Sequence, residues 1–182
     1  MKRSMKGRTL PLWLLLAGWI LFFSGQAAGQ EKHKYSFITP PGTSLYTQQH
    51  VIDVGDVPGH QIRIFELRAK YTAEAPIYNG VKVVEGWTRA SSDHTNGSGR
   101  SAGYGISILE NGDKIFSRFE TLVQTVVSAD GSRKSAYTTV TTLTGGTGKF
   151  STIHGTLRGA GSTDFKTGLS GAKTEGEYWF ER

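Results

Sequence analysis

The chain has 182 residues and no cysteine, so disulfide bonds are excluded and a fold in an oxidising compartment must be held together by packing. The formal net charge of +6 comes from 21 Lys and Arg against 15 Asp and Glu. Four of the basic residues lie within the first eight positions, which leaves 17 basic against 15 acidic residues with interleaved signs. This balance excludes the basic stripe that a nucleic-acid partner requires.

The N-terminus has the layout of a secretory signal peptide. A basic start is followed by an apolar run over residues 10–23 and then by small residues up to Gly29. The apolar run is shorter than the roughly 20 residues that span a bilayer. We therefore predict a cleavable signal peptide over residues 1–29, a secreted or periplasmic protein, and no stable membrane span after cleavage.

Residues 30–182 are predicted to form a single all-β domain, because the pattern after residue 44 alternates as in strands and no helical stripe is present. Short turn sequences, including Asn111-Gly112 and Asp130-Gly131, predict antiparallel hairpins. Eight such strands can close into a β-barrel, which removes exposed edges. The eight predicted strands are 44–53, 61–71, 81–90, 101–110, 114–127, 135–143, 149–158 and 175–181.

Three segments fall outside this strand pattern. The polar residues 91–99 predict a long loop at one barrel mouth, and the Gly/Ser/Thr-rich residues 159–173 predict a mobile loop. Residues 30–46 carry no firm prediction.

The run from Gly145 to Lys149, Gly-Gly-Thr-Gly-Lys, invites comparison with a phosphate-binding loop. A P-loop requires a glycine five positions before the glycine that precedes the lysine, and a Ser or Thr directly after the lysine. This chain has Leu143 and Phe150 at those two positions. The run therefore predicts a third hairpin turn. The sequence indicates no nucleotide or other cofactor, and the scattered His50, Asp53, Asp56 and His60 match no metal-ligand spacing.

Residues 145–150, Gly-Gly-Thr-Gly-Lys-Phe, resemble the glycine hairpin of the allene oxide cyclase and dirigent barrel superfamily, and residues 64–67, Ile-Phe-Glu-Leu, resemble its opening strands. The resemblance implies an eight-stranded barrel and a homodimer or homotrimer. In the cyclases, a lumenal glutamate assists ring closure of a fatty-acid epoxide. Glu66 matches that glutamate, Arg68 stands where the family has asparagine, and Pro76 lies near the position of a Ser-Pro pair that helps to hold water.

Strand alternation gives a separate reason to consider Glu66 and Arg68. Both share a face with Ile62 and Ile64, so isoleucines that point inward would bring the two charges into the lumen. Trp87 and Tyr104 lie on strands that could complete the lumenal set. The alternative is a bulge or a position at the barrel mouth, from which both charged side chains would reach water.

Three functions are compatible with this pattern. The first is a protein that holds a small apolar or amphipathic molecule in its lumen, either simply binding it or orienting it for cyclisation or coupling. The second is an isomerase that uses Glu66 as its acid–base group. The third is a structural envelope protein with a filled lumen. An open lumen in which Glu66 pairs with Arg68 favours binding, whereas an open lumen with an unpaired Glu66 favours the isomerase.

Overall fold

The computed structural model describes residues 30–164 and 169–182, so the predicted signal peptide lies outside the described residues. This part of the chain is all-β and antiparallel. Apart from a 3-10 turn at Gly148–Phe150, the described elements are ten strands. They are β1 His33–Thr39, β2 Ser44–Asp53, β3 His60–Lys70, β4 Ile77–Tyr78, β5 Val81–Thr95, β6 Ser98–Leu109, β7 Lys114–Val127, β8 Arg133–Gly146, β9 Ile153–Asp164 and β10 Leu169–Phe180.

Nine strands form one sheet in the order β1-β10-β9-β8-β7-β6-β5-β3-β2, and the short β4 pairs with β5 alone. The first two strands in the chain therefore form the two opposite edges. Apart from β1 and β10, neighbouring strands in this order follow one another along the chain, with the short β4 between β3 and β5. The sheet is not closed by hydrogen bonding between its edges, which differs from the closed eight-stranded barrel expected from the sequence.

The sheet must nevertheless curl strongly. Nine flat strands would hold their edges about 38 Å apart, because neighbouring strands lie about 4.8 Å apart. Only residues 40–43 separate β1 from β2, and such a link reaches at most about 18 Å. The chain itself therefore draws the two edges of the sheet toward each other.

Aromatic side chains fill the seam where β1 meets the segment from the end of β3 to β4 across the curl. Phe37 of β1 makes an edge contact with Tyr71, just after β3, with ring centroids 5.8 Å apart. Tyr35 of β1 stacks on Tyr78 of β4 at 4.8 Å, and Tyr78 also meets Tyr178 of β10 at 5.4 Å. Side-chain packing here takes the place of a backbone ladder.

The hydrophobic core lies inside the curl at one end of the strands. Its fully buried members include Val83, Leu109, Ile115 and Ile153, each near the start or the end of its strand, and Phe150 of the 3-10 turn. Beyond the core, the same concave face continues toward the other end of the strands. That end carries the cavity described below.

The glycine-rich run after Leu143 forms the predicted hairpin turn between β8 and β9. Gly148 has φ = 52°, and a side chain there would collide with the carboxylate of Asp113 in the turn between β6 and β7. Asp113 accepts a hydrogen bond from the Lys149 backbone N–H at 3.3 Å, and Thr147 accepts one from the Lys114 N–H at 2.8 Å. Glycine is therefore required for both backbone conformation and close approach.

Two loop predictions are wrong over the described residues. Residues 91–99 extend β5 and β6, which are joined by a tight Asn96-Gly97 turn with φ of 52° and 84°. The polar composition reflects side chains that face water and a polar cavity. Residues 159–164 and 169–173 likewise continue β9 and β10, where glycines pair with neighbouring strands.

The unassigned N-terminal segment contains β1 and the start of β2, so the sheet has more strands than predicted. In the described part of the chain, no helix is long and apolar enough to cross a membrane.

Candidate functional site

A cavity of ≈ 870 Å³ occupies the concave side of the sheet beyond the core. This volume lies within the roughly 300–1,000 Å³ range of small-molecule sites. Apolar walls come from Phe65, Leu67 and Phe119, and hydroxyl groups cover much of the remaining surface. The serine and threonine residues that line it include Thr88, Ser92, Ser101, Ser107, Ser117, Thr121, Thr125, Ser135, Thr139, Thr141 and Thr163.

Strand register explains why these side chains converge. In antiparallel strands, directly paired residues point to the same face. Arg63 is paired with Ser92, Ser92 with Ser101, and Ser101 with Thr121, so one row of side chains crosses four strands. In the next row toward the core, the same register aligns Phe65 with Phe119 through two small residues between them.

The charged groups that line the cavity are all basic. Arg63 and Arg133 line it together with His94, and none of the described lining residues is an Asp or a Glu. Arg63 is half-buried, whereas Arg133 is exposed at the mouth and donates to the backbone carbonyl of Asn96 at 3.0 Å. The cavity therefore presents a positive end to its contents.

His94 sits at this positive end. Burial lowers the pKa of its imidazole below the usual value, and the nearby guanidinium of Arg63 lowers it further. Its Nε2 lies 3.2 Å from the hydroxyl of the buried Ser101. At neutral pH the neutral ring can donate or accept a hydrogen bond with this serine.

The structure does not place Glu66 or Arg68 in the cavity. Ile62 and Ile64, which share their face, are 43% and 65% exposed, so this face of β3 points outward. The expectation of a lumenal Glu66 and Arg68 is therefore wrong. The physical reason is that the concave face is polar near the mouth, where it carries Gln61 and Arg63, so hydrophobicity did not identify the inside.

On the outer face, Glu66 is the centre of a hydrogen-bonded cluster. Its carboxylate accepts bonds from the Thr47 hydroxyl at 2.7 Å and from Nε of Arg68 and of Arg89, each at 2.8 Å. These three donors, Thr47 first, lower the pKa of Glu66 to about 2. Arg68 also approaches Glu85 at 3.8 Å. Such a carboxylate is a weak base at neutral pH, and its contacts favour a structural role.

The β-bulge in β2 makes this cluster possible. The register shifts between Tyr46 and Gln48, which leaves Thr47 without a cross-strand partner and directs its hydroxyl to Glu66. The cluster therefore ties the exposed edge strand β2 to β3 and β5.

The remaining predicted site residues are dispersed. The guanidinium carbons of Arg68 and Arg89 lie over the Trp87 ring, 4.4 and 4.8 Å from its centroid, and Trp87 also borders the cavity. Tyr104 is 72% exposed on the outer face, so its predicted lumenal position is wrong. Pro76 is buried near β4, where its carbonyl accepts a bond from the Val83 N–H, and it does not line the cavity.

A shallower groove of ≈ 550 Å³ runs along the outer face beside Ile64, Glu66 and Tyr104. We regard the concave cavity as the candidate site because it is larger and more enclosed, and because its polar groups converge from several strands.

Sequence reasoning missed Arg63, His94 and Ser101. A signal was available in β3, where Phe65, Leu67 and Ala69 share the face of Arg63 and lie nearer the core. Three apolar residues at alternate positions near the core indicate the inner face of β3 more reliably than Ile62 and Ile64 near the start of the strand. On β7, Arg118 and Glu120 are exposed on the outer face.

His60, the first residue of β3, has a separate set of contacts. Its two ring nitrogens contact Asp93 at 2.8 Å and Asp56 at 2.6 Å, and these hydrogen bonds, Asp93 first, raise its pKa. Asp56 and His60 are therefore in contact, while His50 and Asp53 lie elsewhere along β2. The triad fixes the turn before β3 to β5.

Comparison with known proteins finds no matching protein-family model, curated protein or solved structure. The resemblance to the allene oxide cyclase and dirigent superfamily therefore stays a prediction, as does the homodimer or homotrimer that it implies.

Proposed function

We propose that the protein binds a small apolar or amphipathic molecule in the cavity of its curled sheet. The observation that carries this proposal is the ≈ 870 Å³ space beyond the core, lined by both aromatic and hydroxyl side chains. Sites of this kind combine apolar walls with a few convergent polar groups. In this proposal the curled sheet acts as an incompletely hydrogen-bonded barrel, exported by the predicted signal peptide and working outside the cytoplasm.

The arrangement of Glu66 favours binding over isomerase chemistry. The carboxylate is paired with Arg68 and Arg89 on the outer face, away from the cavity. A general base must lie within hydrogen-bond reach of its substrate proton. For a molecule inside the cavity, Glu66 does not meet that requirement.

The cavity also favours binding over a purely structural envelope role. A structural barrel fills its interior with its own side chains, as this protein does at the core end. At the other end, small residues such as Thr88, Gly105 and Ser117 stand in one cross-strand row and leave space.

Titration with the neutral fluorescent dye N-phenyl-1-naphthylamine tests the proposal. We expect saturable binding with enhanced fluorescence, and its loss in Thr88→Trp, because the indole would occupy the cavity. Thr138→Trp is the matched control, since Thr138 is exposed on the outer face and paired with Leu122.

Equal dye binding by the wild type and a folded Thr88→Trp protein would place the dye outside the cavity and refute the proposal. Circular dichroism of each variant establishes that it is folded.

A further inference from the structure

The proposed function does not specify the chemical class of the bound molecule. The charged groups in the cavity favour one class over the others. The relevant group is Arg63, on the concave face of β3. Its side chain is half-buried and lines the cavity. Its recorded contact is with the ring of Tyr46, whose centroid lies 5.9 Å from the guanidinium carbon.

Arg63 has no carboxylate within ion-pair distance among residues 30–164 and 169–182. Arg68 of the same strand and Arg89 of the neighbouring β5 lie on the opposite face, and both pair with Glu66. Two acidic residues on the strands beside Arg63 are engaged elsewhere: Asp53 accepts a bond from Gln61 at 2.9 Å, and Asp93 contacts His60. A partly desolvated cation without a counter-ion is costly, and a bound anion offsets that cost.

The surroundings of Arg63 are suited to an oxyanion. Ser92 stands directly opposite it on β5, and Ser101 follows on β6. Both serines are buried, with 7% and 9% of their surface exposed. A guanidinium presents two parallel N–H donors that match carboxylate, sulfonate and phosphate groups, and serine hydroxyls can donate to the same oxygens.

The apolar walls lie next to this polar row. Phe65 and Phe119 lie one row closer to the core than Arg63, and Leu67 lies two rows closer. A ligand with an oxyanion at Arg63 would therefore extend its apolar body toward the core end. Arg133 and His94 add donors at the mouth, where the anion would enter.

We propose that the cavity is selective for organic oxyanions, with the anionic group held by Arg63 and the hydroxyls of Ser92 and Ser101 and the apolar body packed against Phe65 and Phe119. The proposal rests on the proposed function, because it assigns the ligand class of the same cavity. It makes Arg63 a specificity-determining residue.

Two dyes that share one aromatic scaffold test this selectivity. 8-Anilinonaphthalene-1-sulfonate carries a sulfonate that N-phenyl-1-naphthylamine lacks. We expect the wild type to bind the anionic dye about tenfold more tightly, the scale of one charge-assisted hydrogen bond. Arg63→Met retains an apolar side chain of similar length, and it should abolish this preference while changing the affinity for the neutral dye by less than about twofold.

Arg118→Met is the matched control, because Arg118 is exposed on the outer face and its loss changes the net charge equally. Equal loss of anionic-dye affinity in both variants would mean that only net charge matters and would overturn the proposal. Failure of the neutral dye to bind at all would instead refute the proposed function.

Competition on the unmodified protein gives a second measurement that does not depend on how a variant folds. Displacement of N-phenyl-1-naphthylamine is measured with 1-naphthoate, 1-naphthyl phosphate and 1-naphthol. Stronger displacement by either anion than by the neutral naphthol supports the proposal and distinguishes carboxylates from phosphate esters. Displacement by naphthol equal to or stronger than that by both anions contradicts it.

Discussion

At the residue scale, the two faces of β3 show how one strand divides structure from binding. Glu66 and Arg68 form an ion-pair cluster on the outside, whereas Arg63 faces the cavity without a carboxylate partner among the described residues. Arginines on one strand therefore have different roles, because alternate positions face opposite sides of the sheet. The sequence gives the positions of the charged residues on β3, but packing against the core determines which face of the strand is inside.

The Glu66 cluster predicts a specific acid sensitivity. The pKa of Glu66 falls from 4.5 to about 2 on folding, so its contribution to stability is complete above pH 4.5 and is lost as pH falls toward 2. Glu66→Gln should be less stable than the wild type at pH 7. The difference in midpoint of urea unfolding between the two proteins should shrink as the pH is lowered from 5 to 2.

A matched comparison uses Glu120→Gln, whose carboxylate is exposed on the outer face and takes part in no recorded ion pair of the described residues. A stability difference for Glu66→Gln that stays constant across this pH range would show that the carboxylate is not held ionised by its donors.

At the scale of elements, hairpin chemistry was the most predictable part of the fold. Asn-Gly, Asp-Gly and the Gly-Gly-Thr-Gly run each mark a turn between antiparallel strands, and β2 and β7 begin and end at the predicted residues. The same Asn-Gly signal at Asn96 was overlooked because polar composition suggested a loop. Strands beside a polar cavity lack the alternation that identifies strands packed against a core.

The turn at Gly148 provides an element-scale test. Gly148→Ala must adopt φ = 52° and displace the Asp113 carboxylate, so we expect a loss of about 2–3 kcal/mol in the free energy of unfolding. Gly131→Ala has a comparable φ of 79° but meets open space, and it should cost about 1 kcal/mol. Chemical denaturation of both variants measures the difference.

Equal losses for the two alanine variants would mean that the approach of Asp113 contributes nothing beyond backbone conformation at Gly148.

At the scale of the whole molecule, the curl of the sheet rests on features that sequence patterns do not reveal. The seam is filled by aromatic side chains from β1, β4 and β10, and β4 is far in the chain from the other two. Local periodicity gives strand positions but carries no information on which distant strands form the seam. The expected closed barrel thus approximated the curl, but it missed that side-chain packing, not a backbone ladder, joins β1 to the segment from the end of β3 to β4.

Tyr78 tests the seam. It is 4% exposed and contacts rings on both β1 and β10, so Tyr78→Ala should lower the free energy of unfolding by about 3–5 kcal/mol. Tyr104→Ala, at a 72% exposed position, should change it by less than about 0.5 kcal/mol. Thermal or urea unfolding distinguishes the two, and a mild Tyr78→Ala variant would show that the seam does not depend on this ring.

The account as a whole depends on the concave cavity being the place where a small molecule binds. A crystal structure of the protein with N-phenyl-1-naphthylamine tests this most directly. We predict that the dye lies against Phe65 and Phe119 inside the curled sheet. A dye bound in the outer groove beside Ile64 and Tyr104, with the protein's own side chains filling the cavity, would contradict the account.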